Sequence, residues 1–392
     1  MTAVNARRTS LVESFISYTF ILLLIQAFLS NFGLTIPVFI SPSNFLELCF
    51  FFIGIICFHP KNLSRFLTIA GIFLVFFAII IFSILADSPI YEVLRATKWV
   101  FFIGLLFGIN RKGVVSPVVL LRVTKLLLVS ALFQYSWTKF NLGITSRPTL
   151  FIENNYEVAL FSGFLIVSYF SNRGFNEKFR WVWFWIYFEV MLLSGSLSGL
   201  LLLILISIFV GFQKETGSRR KFIFGVFMLL LSFGSLFWVY SSRNVTLTRS
   251  DRYYFLEIFF QEMGLGNVLH WFIGNIIIRP LEVDSCNALT YYVRQLSEDL
   301  QGACFSVTFH SFILRTIVDF GIVGLFFAFF ALTKSLNREV PSSLRKLLVA
   351  IAFLNSLSVS GPNNIYVIFP FLMAQLVDFS KYTERATFLK NS

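Results

Sequence analysis

Charge is what this chain has least of. Asp, Glu, Lys and Arg together make up 13% of its 392 residues, about half the share usual in a soluble domain. So little charge excludes an ordinary water-soluble surface and places the chain in lipid. Also missing is the strict period-two alternation of a membrane barrel: runs such as Leu200 to Gly211 carry none of it. Since every backbone polar group in a bilayer must be satisfied within the protein, helices are what remains. Histidine occurs three times and cysteine four. His59, His270 and His310 are scattered among distant thiols and match no zinc spacing, so no metal site is expected. The first apolar stretch, after Arg7 and Arg8, carries no small-residue cleavage pattern and reads as a membrane span rather than a signal peptide. No internal repeat relates the two halves and no Gly- or Pro-broken spans occupy matching positions, which weighs against a transporter.

What is present is apolar sequence in blocks. Stretches able to cross about 30 Å of hydrocarbon fall near residues 11–32, 39–58, 65–86, 93–110, 118–137, 156–171, 179–195, 197–213, 221–241, 310–332, 342–360 and 362–379. The expectation is an all-α polytopic integral membrane protein of about twelve transmembrane helices, one transmembrane domain over residues 1–392. The pairs joined around Ser194 and Gly361 read either as two spans or as re-entrant hairpins. The formal charge of +12 belongs to topology rather than to nucleic acid. With the N-terminus cytoplasmic, 22 of the 32 Lys and Arg face the cytoplasm, the bias expected of an inner-membrane protein with both termini inside. The bases left on or near the opposite side include Arg95, Lys98, Lys139, Arg147, Arg249, Arg252 and Arg315.

One connection is long: residues 242–309, between the ninth and tenth spans, on the external, periplasmic side. Its aromatic content argues for order, and loops of such length are commonly functional. Phe255, Leu256, Phe259, Phe260 and Met263 recur at helical spacing opposite Glu257, Gln261 and Glu262, predicting an amphipathic helix at the membrane interface with Ser250 or Asp251 as its N-cap. Cys286 and Cys304 lie in this loop, where an oxidising compartment permits a disulfide closing roughly 19 residues, worth about 3 kcal/mol in chain-entropy terms. Cys49 and Cys57 lie in the second span and read as small packing residues.

Four constellations carry candidate chemistry. Thr145 to Asn155 crowds Arg147, Glu153, Asn154 and Asn155 onto one membrane face, with Pro148 biasing Arg147 toward an extended conformation. Arg249-Ser250-Asp251-Arg252 sets two guanidiniums at a helix N-terminus, an arrangement that makes sense around an anion such as phosphate. His310-Ser311 through Arg315 to Asp319, Gly321 and Gly324 places a histidine able to exchange a proton near neutral pH at the mouth of the tenth span. Leu193 to Leu200 is a Ser/Gly turn suited to close helix approach.

In this order, these pieces resemble the O-antigen polymerase and ligase superfamily, most nearly its Wzy-type polymerases. Arg147, Phe151, Glu153 and Asn154 match its external Arg-Phe-acid segment, Ser194 to Gly199 its Ser/Gly turn, Arg249 or Arg252 with Tyr253 and Tyr254 its basic aromatic helix, and His310 to Gly324 its closing segment. The match covers roughly residues 140–335. Many relatives, ligases especially, carry an arginine in the turn where this chain has Leu197, which favours polymerase over lipid A-core ligase. The resemblance implies a GT-C-like fold and metal-independent glycosyl transfer without a cofactor. Its substrates would be undecaprenyl-pyrophosphate-linked glycans, in the bilayer and without nucleic acid, with a chain-length regulator as a further partner. Arg147, Arg249 and Arg252 would bind pyrophosphate, Glu153 or His310 would act as base, and Asn154, Asn155, Tyr253 and Tyr254 would contact sugar. A flippase or other transporter stands as the reading from a different class.

Overall fold

The computed structural model describes residues 3–31, 41–60, 62–110, 113–143, 146, 148–151, 154–172, 181–211, 223, 225–234, 251–292, 303–337, 339–357, 359 and 361–379. Among them there is no strand, only three isolated bridges, and the regular structure is helical. A helix lies in each of the twelve apolar stretches: α1 Ala3–Asn31, α2 Pro42–Cys57, α3 Leu63–Leu85, α4 Ile90–Gly108, α5 Pro117–Leu142, α6 Asn154–Asn172, α7 Val182–Ser194, α8 Leu197–Gly211 and α9 Gly225–Gly234, then after the long connection α13 Phe312–Ser335, α14 Ser342–Ser356 and α15 Ile365–Leu376. The connection itself forms α10 Asp251–Gly264, α11 Val268–Ile273 and α12 Val283–Ala288. Among the described residues, four helices are long and apolar enough to cross a membrane by length and composition: Leu11–Ser30, Leu63–Leu85, Pro117–Leu142 and Phe312–Ser335.

Local chemistry sets the helix starts. Ser41, Asn62, Ser116 and Ser311 each accept a hydrogen bond from the backbone N–H three residues on, with Pro42 and Pro117 at the first helical position. Gly195, left-handed, closes α7 and lets α8 begin two residues later.

The centre of the bundle is α6 against α15. Every residue of α15 is buried, and its Pro370 ring packs on Gly163 of α6 so closely that a methyl there would lie 2.4 Å from the ring. A twelve-residue helix enclosed by protein does not itself have to match the bilayer's thickness.

Two faces follow from the contacts. On the far face, His59 N–H bonds the Gly108 carbonyl, Ser116 N–H bonds Glu13, Arg65 bonds Phe107 O, Asn337 and Ser335 O, and Val114 N–H bonds Leu376 O. The other face carries residues 251–292 and 303–309 and gathers the end of α3 and the beginnings of α4, α6, α13 and α15.

The amphipathic helix forms as α10, but its buried face is rotated from the expected one. Phe255, Ile258, Phe259 and Met263 are buried, while Leu256 and Phe260 are exposed and Glu262 turns inward. Glu262 is drawn in because its carboxylate accepts the Ser285 hydroxyl (2.7 Å) and the Glu282 N–H (3.3 Å) at the start of α12. Sequence spacing alone does not reveal a polar partner supplied twenty residues later.

α13 is broken. Gly321 adopts φ +66°, ψ −174°, a conformation open essentially only to glycine. The carbonyls of Val318 and Asp319 accept the N–H groups of Asn275 (3.1 Å) and Ile276 (2.8 Å) just beyond α11. Gly274 (φ +64°) faces Gly321 across this crossing.

Candidate functional site

The polar residues of the loop face converge where α4, α6, α13 and residues 361–363 meet. Asn363, buried, accepts the Trp99 N–H (2.9 Å) and donates to the Arg95 carbonyl (2.6 Å). These two backbone groups are one rung of α4, so an amide from a remote turn is inserted at that rung. Arg95 lies 3.9 Å from Glu92. From α13, Arg315 is buried with its guanidinium 5.4 Å from the Phe312 ring centre, within electrostatic reach of Tyr156, Asp319 and Arg95. Asp319, one turn further, accepts the Ser306 hydroxyl at 2.6 Å. Arg315 and Asp319 are thus buried within electrostatic reach of each other, where low dielectric magnifies the interaction, with Tyr156 and the partly exposed Arg95–Glu92 pair at their side.

Glu157 anchors the approach to α6. Fully buried, it accepts the Tyr135 hydroxyl (2.5 Å) and the Leu150 N–H (2.8 Å) on Oε1 and the Phe151 N–H (2.7 Å) on Oε2. Phe151 stacks on Tyr366, 6.1 Å between centres and 11° between planes. Sequence reasoning passed over Glu157 in favour of Glu153. The available signal was an acidic residue followed directly by the apolar run Val158 to Phe161, an environment in which a carboxylate demands partners.

His310 stands at the mouth of α13, its ring 5.6 Å from Phe255 and 6.5 Å from Tyr292. Arg252 and Tyr253 are exposed on the first turn of α10. Tyr254 donates its hydroxyl to the Ala288 carbonyl (2.7 Å), so that hydroxyl hydrogen ties α10 to α12. Arg147, Glu153 and Arg249 lie outside the described residues; Asn154 and Asn155 open α6, their side chains likewise outside the description. The Ser194–Gly199 turn sits against the start of α6: Gly199 approaches Val158 and Met191, and the Ser196 and Ser198 hydroxyls bond each other at 2.7 Å.

Cys286 and Cys304 form a disulfide, Cα atoms 5.4 Å apart, and Leu281 N–H bonds the Cys304 carbonyl beside it. Cys286→Ser is expected to destabilise the cap of α10 to α12 by about 3 kcal/mol, read as earlier protease cleavage within residues 251–309 under conditions that leave the helices α1 to α8 intact. Cys49 and Cys57 are buried in α2, where Cys49 meets the Thr19 hydroxyl at 3.4 Å. Among the described residues no three His, Cys, Asp or Glu come together as a metal-holding group.

No family model, curated protein or solved structure matches the chain. Fold and site together define, among the described residues, a helical protein with four helices long and apolar enough to cross a membrane and a disulfide-tied cap beside buried Arg315 and Asp319.

Proposed function

We propose that the protein is a twelve-span enzyme of the bacterial inner membrane. It joins undecaprenyl-pyrophosphate-linked oligosaccharide repeat units into O-antigen, capsule or exopolysaccharide on the periplasmic face. The observation that carries this reading is that Arg315 lies within electrostatic reach of Arg95 where α4 packs on α13, with His310 at the mouth of α13 against α10 of the cap. A doubly charged leaving group needs cations held in place before reaction, and a sugar hydroxyl needs a base within reach.

In this reading Arg147, Arg249 and Arg252 hold the donor pyrophosphate. The acceptor hydroxyl oxygen attacks the donor's anomeric carbon, and the bond from that carbon to the pyrophosphate oxygen breaks. Undecaprenyl pyrophosphate leaves with the electron pair, and the hydroxyl proton passes to Glu153 or His310. Asn154, Asn155, Tyr253 and Tyr254 contact sugar, Tyr254 through its ring because its hydroxyl hydrogen is engaged with Ala288. A chain-length regulator is a natural partner. One observation favours a transporter instead: α13 is discontinuous at Gly321 with Asp319 buried beside the break, a feature shared with ion-coupled carriers.

The test is polymerisation of synthetic lipid-pyrophosphate repeat units by purified protein in detergent, without added metal. Wild type is expected to produce a ladder, and Arg147→Ala and Arg252→Ala each to slow it about 100-fold or more while remaining folded. Transfer of glycan to lipid A-core without a ladder would point to a ligase. Neither product from the cell's own repeat unit, together with build-up of lipid-linked units on the cytoplasmic face in a deletion strain, would point to a flippase.

A further inference from the structure

The amphipathic helix α10 is expected at the membrane interface, and the residues that follow it pack well along α13. The N–H groups of Asn275 and Ile276 bond the carbonyls of Val318 and Asp319, seven and eight residues past the N-cap Ser311. At 1.5 Å per residue that contact lies about 10–12 Å down the helix. α13 needs most of its 24 residues to cross hydrocarbon, so the chain beside this contact is at membrane depth. The exposure pattern of α13 agrees. From Phe312 to Phe320 no residue is exposed, whereas Val323, Phe326, Phe327 and Phe330 beyond the break are. Over the first half of the helix, the cap has taken the outer position.

Residues 264–278 have the chemistry for that position. The run Gly264 to Ile278 contains no Asp, Glu, Lys or Arg, and its Leu265, Val268, Leu269, Phe272 and Ile276 are exposed. Nearby α3, whose Ser83 hydroxyl accepts the Ile278 N–H, carries exposed Ile81, Phe82 and Leu85 to its very end. The apolar outer surface is therefore continuous from α3 through the segment to the lower half of α13. Irregular backbone tolerates lipid only where protein satisfies it. Here Leu265 and Gly266 donate to Glu262 O and Met263 O, His270 to Asn267, Gly274 to His270 O, and Ile278 to Ser83, while the Ile278 carbonyl accepts the Ser88 hydroxyl.

We propose that residues 264–278 are a re-entrant membrane segment, and that Leu265, Val268, Leu269, Phe272 and Ile276 contact the acyl chains of bilayer lipids. The segment enters beside α13, is locked to it at Gly274 and Gly321, and returns to the surface at Ile278.

Leu269→Cys, Phe272→Cys and Val268→Cys, each carrying a nitroxide spin label in the full chain reconstituted into phospholipid vesicles, test this directly. The native thiols are buried or disulfide-bonded, so the unsubstituted chain supplies the blank. Phe326→Cys on α13 is the lipid reference and Glu257→Cys on α10 the aqueous one. Labels on the segment are expected to match Phe326, several-fold more accessible to dissolved oxygen than to a water-soluble nickel chelate relative to Glu257. Labels matching Glu257 would overturn the proposal by placing the segment in water. Labels reached by neither reagent would overturn it too, because another protein or a second copy would then be covering the face. Val268 is 75% exposed, so its replacement disturbs no packing and decides the matter if Phe272→Cys does not fold.

Discussion

Gly321→Ala is expected to abolish the ordered docking of the cap on α13, at a cost of about 3 kcal/mol or more. Two independent penalties meet at this position. The backbone occupies φ +66°, ψ −174°, where an L side chain is strained by roughly 1–3 kcal/mol. The added methyl would also stand 2.1 Å from the Phe272 carbonyl oxygen and 2.4 Å from the Ile273 nitrogen, both backbone atoms that have no rotamer to yield. Relief requires moving α11 away from α13, which strips the Val318 and Asp319 carbonyls of their donors. Asp319 and Arg315 then lose the enclosure that holds them together. Thermal unfolding of purified protein and protease susceptibility of residues 251–292 measure the effect. Gly71→Ala, a glycine on the exposed side of α3 with open space around it, is the control and is expected to be neutral or stabilising by up to about 1 kcal/mol. Wild-type-like stability of Gly321→Ala would show that the break in α13 is not required.

Glu157→Leu is expected to be nearly as severe. The carboxylate is the shared acceptor of three donors, two of them backbone N–H groups in a buried turn. Removing it leaves those groups unsatisfied in an apolar setting, about 1–3 kcal/mol each. Tyr135→Phe takes away only one of the three donors and is expected to cost about 1 kcal/mol. The difference between the two variants, measured as unfolding midpoints in one detergent, isolates the part owed to residues 150 and 151. Glu157→Gln is intermediate, because an amide offers one acceptor oxygen and turns an N–H toward a donor. If the proposed polymerase reading holds, Glu157→Leu also depresses activity without touching substrate. Arg147 and Glu153 flank the turn that this carboxylate pins, and misplacing a reacting group by about 1 Å costs on the order of 100-fold.

Much of this architecture is written in local sequence. Low charge and unbroken apolar runs called for helices, and a helix stands in each of the twelve stretches. Ser and Asn before the first apolar turn, Pro behind them and Gly195 after α7 are local signals with local causes. The pairing of Cys286 with Cys304 needed only two thiols in one loop. The amphipathic helix was legible as a helix, though not in its facing: periodicity counts residues as apolar or polar, and Glu262 is buried by a serine and an amide that arrive later in the chain.

The candidate site was legible only as a list. His310 and the stretch to Gly321 drew attention from residue type and order, but their surroundings did not. Arg315 had no visible reason to sit near Arg95, since 220 positions separate them in the chain, and their proximity follows from α4 packing on α13. Asn363 fell inside the stretch 362–379; its insertion at the Trp99 and Arg95 rung depends on where residues 361–363 come to rest. Glu157 was overlooked because a single acid at a helix start is ordinary until its partners are seen.

By itself, the sequence determined the class: a chain so poor in charge and so continuous in apolar residues can satisfy its backbone in lipid only as helices, whatever their arrangement. Tertiary structure alone decided which polar groups come together, where α13 breaks and which part of the cap packs against that break. Helix formation depends on neighbours three and four residues away. Burying a charge or admitting a left-handed glycine depends on partners from distant segments, whose energetic terms exist only once those segments are packed together.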